Sequence, residues 1–342
     1  MEKIFDKESW SKFLRGRTIY DCAIIRERGF SFVLVEERPD RDIIPVTTFI
    51  TMAIDRPMEQ RFAVFSVVDF QFTTIASSMN PPEYVAVDTS SSVYSATALR
   101  KGEETPIDQL LDMTTYRGKI GVIKKMVRAA GQIYALGNYR RIYRRLGEEQ
   151  WAELGSDDKG VPLPHDVRKN SDYSMDLGFA DMSAFAADDM YAVGGKGDAW
   201  RFDGMLWHDC ALPTKARLVT VCCGGNGVVY ITELNGTVWA GREKTWTKVA
   251  DADFAWGFQP VDAVWFNNRL YLGAKEGLWT LDESTGSVVE LAEVERDAPN
   301  ATNSGRLDIS PDGAFLLTAG PHGACINDGT GWRRLFSTFD YL

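Results

Sequence analysis

A chain of 342 residues, 44% hydrophobic and 25% charged, has room for one large domain or two to three ordinary ones and can bury a substantial core. Its net charge of −10 argues against bulk nucleic-acid binding. No stretch approaches ~18 uninterrupted apolar residues, so no membrane span is expected, and the opening MEKIFDKESWSKFLRGR lacks the apolar segment of a secretory signal.

Residues 1–14 read as a short N-terminal extension with a helical candidate at Glu8–Leu14. Four β-rich runs follow, IYDCAIIR, FSFVLVEE, IPVTTFITMAI and RFAVFSVV, then three more, DFQFTTIAS, EYVAVD and SSVYSATA. A second short helical candidate lies at Pro106–Met113. Between Asp112 and Glu148 the chain has no acidic residue and nine Lys or Arg, four of them in YRRIYRR (139–145).

From about residue 120 the sequence repeats. Aromatic anchors stand at Tyr134, Tyr191, Tyr230, Tyr271 and Phe315, the last three gaps being 39, 41 and 44 residues. A polar insertion at 155–178 stretches the first gap to 57. Further columns stay in register: Tyr143, Trp200, Trp239 and Trp279 eight or nine residues after the anchor, and Trp151, Trp207, Trp246 and Trp332 sixteen or seventeen after it. Gly197, Gly236 and Gly277 follow their anchors by six residues, where tight hairpins need positive φ. Each unit reads as four short antiparallel strands that cannot bury both faces alone, so radial stacking of the units is expected, with the Tyr and Trp columns packed between blades. A β-sandwich or open meander with chance spacing is the competing architecture.

The expected fold is an all-β, single-domain β-propeller over residues 1–342. Seven blades are expected near 15–68, 69–118, 119–155, 179–213, 214–250, 259–292 and 304–340, with anchors at Phe32 and Tyr84 in the first two; six or eight blades stay open. MYAVGG followed by WRFDGMLW resembles a kelch unit, LDESTGSV (281–288) is similar to a kelch-type strand turn, and LDISPDGAFLLTAG (307–320) resembles the strand opening of WD40-type repeats. These resemblances span roughly residues 120–340. They imply a propeller and select no one family within it.

Chemistry is sparse. The glycines of GGKGD (194–198) suggest a phosphate loop, but a Trp-containing strand follows where a helix would be needed, so a hairpin turn is expected. His165, His208 and His322 have no second ligand at metal spacing, and neither a metal nor a cofactor is expected. DGMLW (203–207) and DGTGW (328–332) read as hairpin turns. The five cysteines form no C-x-x-C pair and are expected as reduced, mostly buried thiols of a cytoplasmic protein.

Two stretches carry partner-binding expectations. Arg140, Arg141, Arg144 and Arg145 offer a basic patch for an acidic protein surface, against the simpler reading of a solvated edge and with nucleic acid disfavoured. The long connections at 155–178, 250–260 and 292–305 are expected on one face, and Phe254, Trp256 and Phe258 in ADADFAWGFQP are candidate aromatic anchors. The function expected is therefore a non-enzymatic protein-binding scaffold, with a bacterial immunity-type protein that neutralises a toxin or effector as its concrete form. A hydrolase or lyase working at the central channel is the rival class, so enzyme status is left open, leaning towards none.

Overall fold

A computed structural model describes residues 3–37, 45–111, 122–154, 160–164, 176–250, 259–275, 277–291 and 304–342. Seven four-stranded antiparallel sheets form a β-propeller, each built from consecutive strands of one stretch of chain. The inner strands that line the central channel are Arg17–Arg26, Thr74–Met79, Ile123–Ala129, Phe179–Ala186, Leu218–Cys223, Pro260–Phe266 and Arg306–Ile309, in blades 1 to 7. All seven begin on the face that receives the connections between blades, here the upper face. The hairpins joining first to second strands and third to fourth strands lie on the lower face.

The core is divided as the repeat requires. Seven apolar clusters fill the seven gaps between neighbouring sheets. Tyr143 and Trp151 lie between blades 2 and 3, Trp207 between blades 3 and 4, and Trp332 between blades 6 and 7. Trp200, Trp239, Trp246 and Trp279 are half-buried at the margins of such layers. Trp246 stands edge-on to Tyr191 and donates its ring N–H to the Cys210 carbonyl at 3.0 Å.

The GGKGD stretch turns between the second and third strands of blade 4. Gly197 sits at φ 69°, and a Cβ there would lie 2.2 Å from the Thr214 carbonyl oxygen of the adjoining connection, so glycine is required by conformation and by closeness. Lys196 at the tip pairs with Asp176 at 2.9 Å.

The ring closes without a shared strand, since blade 1 takes all its strands from the N-terminal end and blade 7 all of its own from the C-terminal end. A clasp of side chains holds the seam. The N-terminal helix Lys7–Phe13 is opened by an Asp6–Ser9 capping box. Phe5 and Trp10 are buried against Phe336 and Tyr341, and the Tyr341 hydroxyl donates to the Phe5 carbonyl at 2.7 Å. Buried Arg61 of blade 1 donates to the carbonyls of Lys3 and Ile4 at 3.1 Å.

Candidate functional site

The inner strands bring one residue from each blade to a common level of the channel: Asp21, Thr74, Lys125, Asp181, Thr220, Asp262 and Arg306. Hydrogen bonds between blades define the level. Asp21 accepts from the Ile75 amide (2.9 Å), Thr74 from Met126 (2.8 Å), Asp181 from Val221 (3.0 Å) and Asp262 from Leu307 (3.1 Å). In each case the donor follows the next blade's own ring residue. Lys125 and Arg306 have no lone pair to offer, and there the next amide turns to its own aspartate instead, Met182 to Asp181 at 3.0 Å and Cys22 to Asp21 at 2.9 Å.

The charges then meet across the opening. The Lys125 ammonium lies 2.9 Å from Asp181 in the adjacent blade and 2.7 Å from Asp262, three blades away, and donates to the Val261 carbonyl. Arg306 approaches Asp262 at 3.9 Å. Further along the channel Arg128 pairs with Asp308 at 2.9 Å and reaches the Ser77 hydroxyl and the Ile309 carbonyl. A cavity of about 250 Å³ runs from the ring towards Ala130, Ala184 and Trp265 at the lower ends of the strands.

Burial dominates the protonation of this ring. It pushes Asp181 up to about 6 despite the pull of Lys125, and Asp21 up to about 6 despite Arg306, with the nearby charge of Asp262 adding to both. Burial acts on Asp262 as well, but Lys125 and Arg306 outweigh it and hold that carboxyl below its usual range. The physical reason is a shared cation: one ammonium serves two carboxylates, and Asp262 also has Arg306. A carboxyl raised on folding binds a proton that the unfolded chain does not hold between about pH 4 and 6. Its contribution to stability therefore grows as pH falls from 7 towards 5. Asp181→Asn is expected to remove on the order of 1–3 kcal/mol of that rise, read as the difference between urea unfolding free energies at pH 7.5 and 5. Parallel pH profiles for variant and wild type would refute it.

β-Bulges shape the upper mouth. Strand pairing skips Tyr20 in blade 1 and Lys124 in blade 3, each just ahead of its ring residue. Tyr20 is half-buried, and its ring lies 6.4 Å from that of Phe72 on the connection into blade 2. Phe72 is 67% exposed and held at φ 49°, a left-handed conformation costing a non-glycine residue about 1–3 kcal/mol. Its neighbours fix it there: Phe70 and Thr73 are buried, and Gln71 exchanges hydrogen bonds with Asp88 and Thr89. Lys124 is half-buried. Burial and the Arg217 charge lower it to about 8 against the pull of Asp198.

The basic run is distributed differently from the sequence expectation. Arg141 and Arg145 are buried, which removes them from any surface patch. Arg145 is clamped by Glu83 (3.0 Å) and Glu104 (2.6 Å), both from blade 2, and lies over the Trp151 ring. Arg141 donates to the Tyr143 hydroxyl at 2.8 Å. The carboxylates that draw Arg145 inward are 62 and 41 residues away in sequence, so local composition could not show them. Arg140 pairs with Asp198 at 2.7 Å and stacks on Trp200, while Arg144 is exposed. Phe254, Trp256 and Phe258 lie outside the described residues, as does His165. His208 bonds Asp203 at 2.7 Å on a lower-face hairpin, and His322 bonds Thr338. Cys22, Cys210, Cys222 and Cys325 are buried, and burial raises the Cys210 and Cys223 thiols to about 12, leaving them weak nucleophiles at neutral pH.

The channel ring was missed in the sequence. Its signal is a column nine to eleven residues ahead of each aromatic anchor, polar or charged in all seven units and followed in each by an apolar residue.

No family model matches the chain. Over 174 residues it is 30% identical to the immune protein Tsi7 of Pseudomonas aeruginosa, covering 51% of this chain and 53% of that protein, so the match takes in about half the length of this relative. Among solved structures, the WD40 propeller domain of Doa1 superposes with a TM-score of 0.56 at 8% identity over 90% of this chain and 91% of that one. YCF48 bound to D1 peptide gives 0.55 at 16% identity over 91% and 93% of the two chains, and the WD40 repeats of RRP9 give 0.55 at 12% over 94% and 92%. At these identities the structural likeness is one of fold.

Proposed function

We propose that this chain is a propeller of the immunity type, which protects a cell by binding a toxin or effector protein. The observation that carries the reading is the 30% identity to an immune protein over half the chain. The channel agrees with a scaffold role: its charged groups are spent on one another, with Lys125 tying blade 3 to blades 4 and 6 and Arg128 tying blade 3 to blade 7. The test is co-purification from the native host, followed by co-expression with the captured protein. A stoichiometric partner whose toxicity is relieved by this chain is the expected result. Absence of any stoichiometric partner, or toxicity unaffected by the chain, would count decisively against it.

A hydrolase or lyase reading draws on one observation, two carboxyls raised to about 6 at the head of a channel cavity, a condition suited to proton transfer near neutral pH. It predicts turnover of a sugar, lactone or phosphate ester that Asp181→Asn and Asp21→Asn both abolish.

A further inference from the structure

Exposed apolar side chains of the upper face include Leu234 of blade 5 and Phe339 of blade 7, but several lie on the connections into blades 2 and 3. Val68 (57% exposed) and Phe72 (67%) share the connection into blade 2, and Val122 (47%) immediately precedes the inner strand of blade 3. Val68 directly follows the outer strand Phe62–Val67 at the rim of blade 1, whereas Phe72 and Val122 stand where inner strands enter, at the channel mouth. A backbone chain joins them: the Thr89 amide donates to the Gln71 carbonyl and the Ile123 amide to the Thr89 carbonyl, each at 3.1 Å. Tyr20 flanks Phe72 on one side, and Lys124 follows Ile123 on the other. On the lower face, exposed Met205 and Leu206 share an outer hairpin of blade 4 and Leu99 lies on one of blade 2, all away from the channel.

Charge continues the arc. Lys124 senses Arg217, which immediately precedes the inner strand of blade 5, so two cations face the same opening. Among the described residues neither has a carboxylate partner. The nearby acids are occupied: Asp198 accepts from Arg140 and Trp200, and Asp176 from Lys196. This is a cationic site in a chain of net charge −10. A strained, exposed aromatic at the same mouth as two cations has the make-up of an interface hot spot, where aromatic and basic side chains supply most of the binding energy.

We infer that the upper channel mouth, with Phe72 and Tyr20 as anchors and Lys124 and Arg217 as charged flank, is the docking surface for a segment of a partner protein that carries an apolar side chain among acidic residues. The inference rests on the protein-binding reading above and names the surface and the chemistry it selects.

The probe is the partner recovered by co-purification, identified and purified, with affinities measured by calorimetry. Phe72→Ala is expected to weaken binding about 30-fold or more. Lys124→Glu with Arg217→Glu is expected to weaken it by more than about tenfold and to flatten its dependence on salt, while Met205→Ala on the lower face leaves it unchanged. These side chains are exposed or half-buried, and matching thermal melts confirm that the variants fold. A photo-crosslinker at position 72 is expected to label an acidic segment of the partner, whose reversal to lysine restores binding to the charge-reversed chain. Affinity within about twofold of wild type for both upper-face variants, or labelling of a basic segment, would overturn this surface and leave the protein-binding reading standing. If no partner is recovered, that reading falls, and the surface with it.

Discussion

Replacing Lys125 with methionine is expected to destabilise the protein by about 3–5 kcal/mol, because removal of one member of a buried charge cluster leaves its partners uncompensated. Asp181 and Asp262 would face each other and Asp21 with only the more distant Arg306 to balance them. The methionine stem keeps the packing of the lysine chain, so lost packing is not the cause. Two readouts separate the electrostatic account from a merely structural one. The loss should shrink as pH falls from 7.5 to 5, when the stranded carboxyls take up protons, and Asp262→Asn in the same chain should recover part of it. Urea unfolding within about 1 kcal/mol of wild type at pH 7.5 would show that the cross-channel tie contributes nothing.

Deleting residues 1–14 is expected to cost at least about 4 kcal/mol, since full burial of one Leu, Ile or Phe side chain contributes about 1.5–3 kcal/mol. Ile4, Phe5, Trp10 and Leu14 are all buried at the seam between blades 7 and 1. Their loss would uncover Phe336 and Phe62 and leave the donors of Arg61 and Tyr341 without the carbonyls they now reach. Ordering the segment costs entropy that offsets part of the gain, but the main consequence is local. Other propeller seams can be sewn by a strand shared between the chain ends; once the clasp is gone this one keeps the apolar layer of Phe32, Leu34, Leu317 and Phe336 and hydrogen bonds such as the Ile19 amide to the Pro321 carbonyl (2.8 Å) and the Ile24 amide to the Asp308 carboxylate (2.9 Å). Proteolysis should then begin in blade 7 or blade 1. A truncated protein that unfolds at the wild-type urea midpoint would refute the clasp.

Architecture was legible where it depends on residues close in sequence. Gly197 turns a hairpin, and the Tyr and Trp columns recur at the length of a blade. The two short helical candidates were found as well, as Lys7–Phe13 and Ile107–Leu110. What depends on distant partners was not legible. Strand alternation along YRRIYRR puts Arg141, Tyr143 and Arg145 on one face, but whether that face meets water is decided by Glu83 and Glu104 of the neighbouring blade. Phe72 reads as a strand residue in DFQFTTIAS, and only the ties on Gln71 and the burial of Phe70 and Thr73 reveal that it is turned outward. Lys125 reads as one of nine basic residues until the ring closes and Asp262, 137 positions later, arrives opposite it.

The order of the ring residues has a consequence for assembly. Sheets in a repeat protein resemble one another, and a folding chain could stack them in the wrong sequence. Around this channel the order is Asp, Thr, Lys, Asp, Thr, Asp, Arg, and each cation has an aspartate beside it: Lys125 next to Asp181, Arg306 between Asp262 and Asp21. Exchange of blade 3 with blade 4 would set the Val221 amide, which now bonds Asp181, against the Lys125 ammonium, with no aspartate of its own to turn to as Met182 has. Exchange of blade 5 with blade 7 would place Arg306 away from Asp21. The axis of the molecule thus works as a combination lock, in which side chains too deep to meet a partner distinguish the native circular order from its permutations.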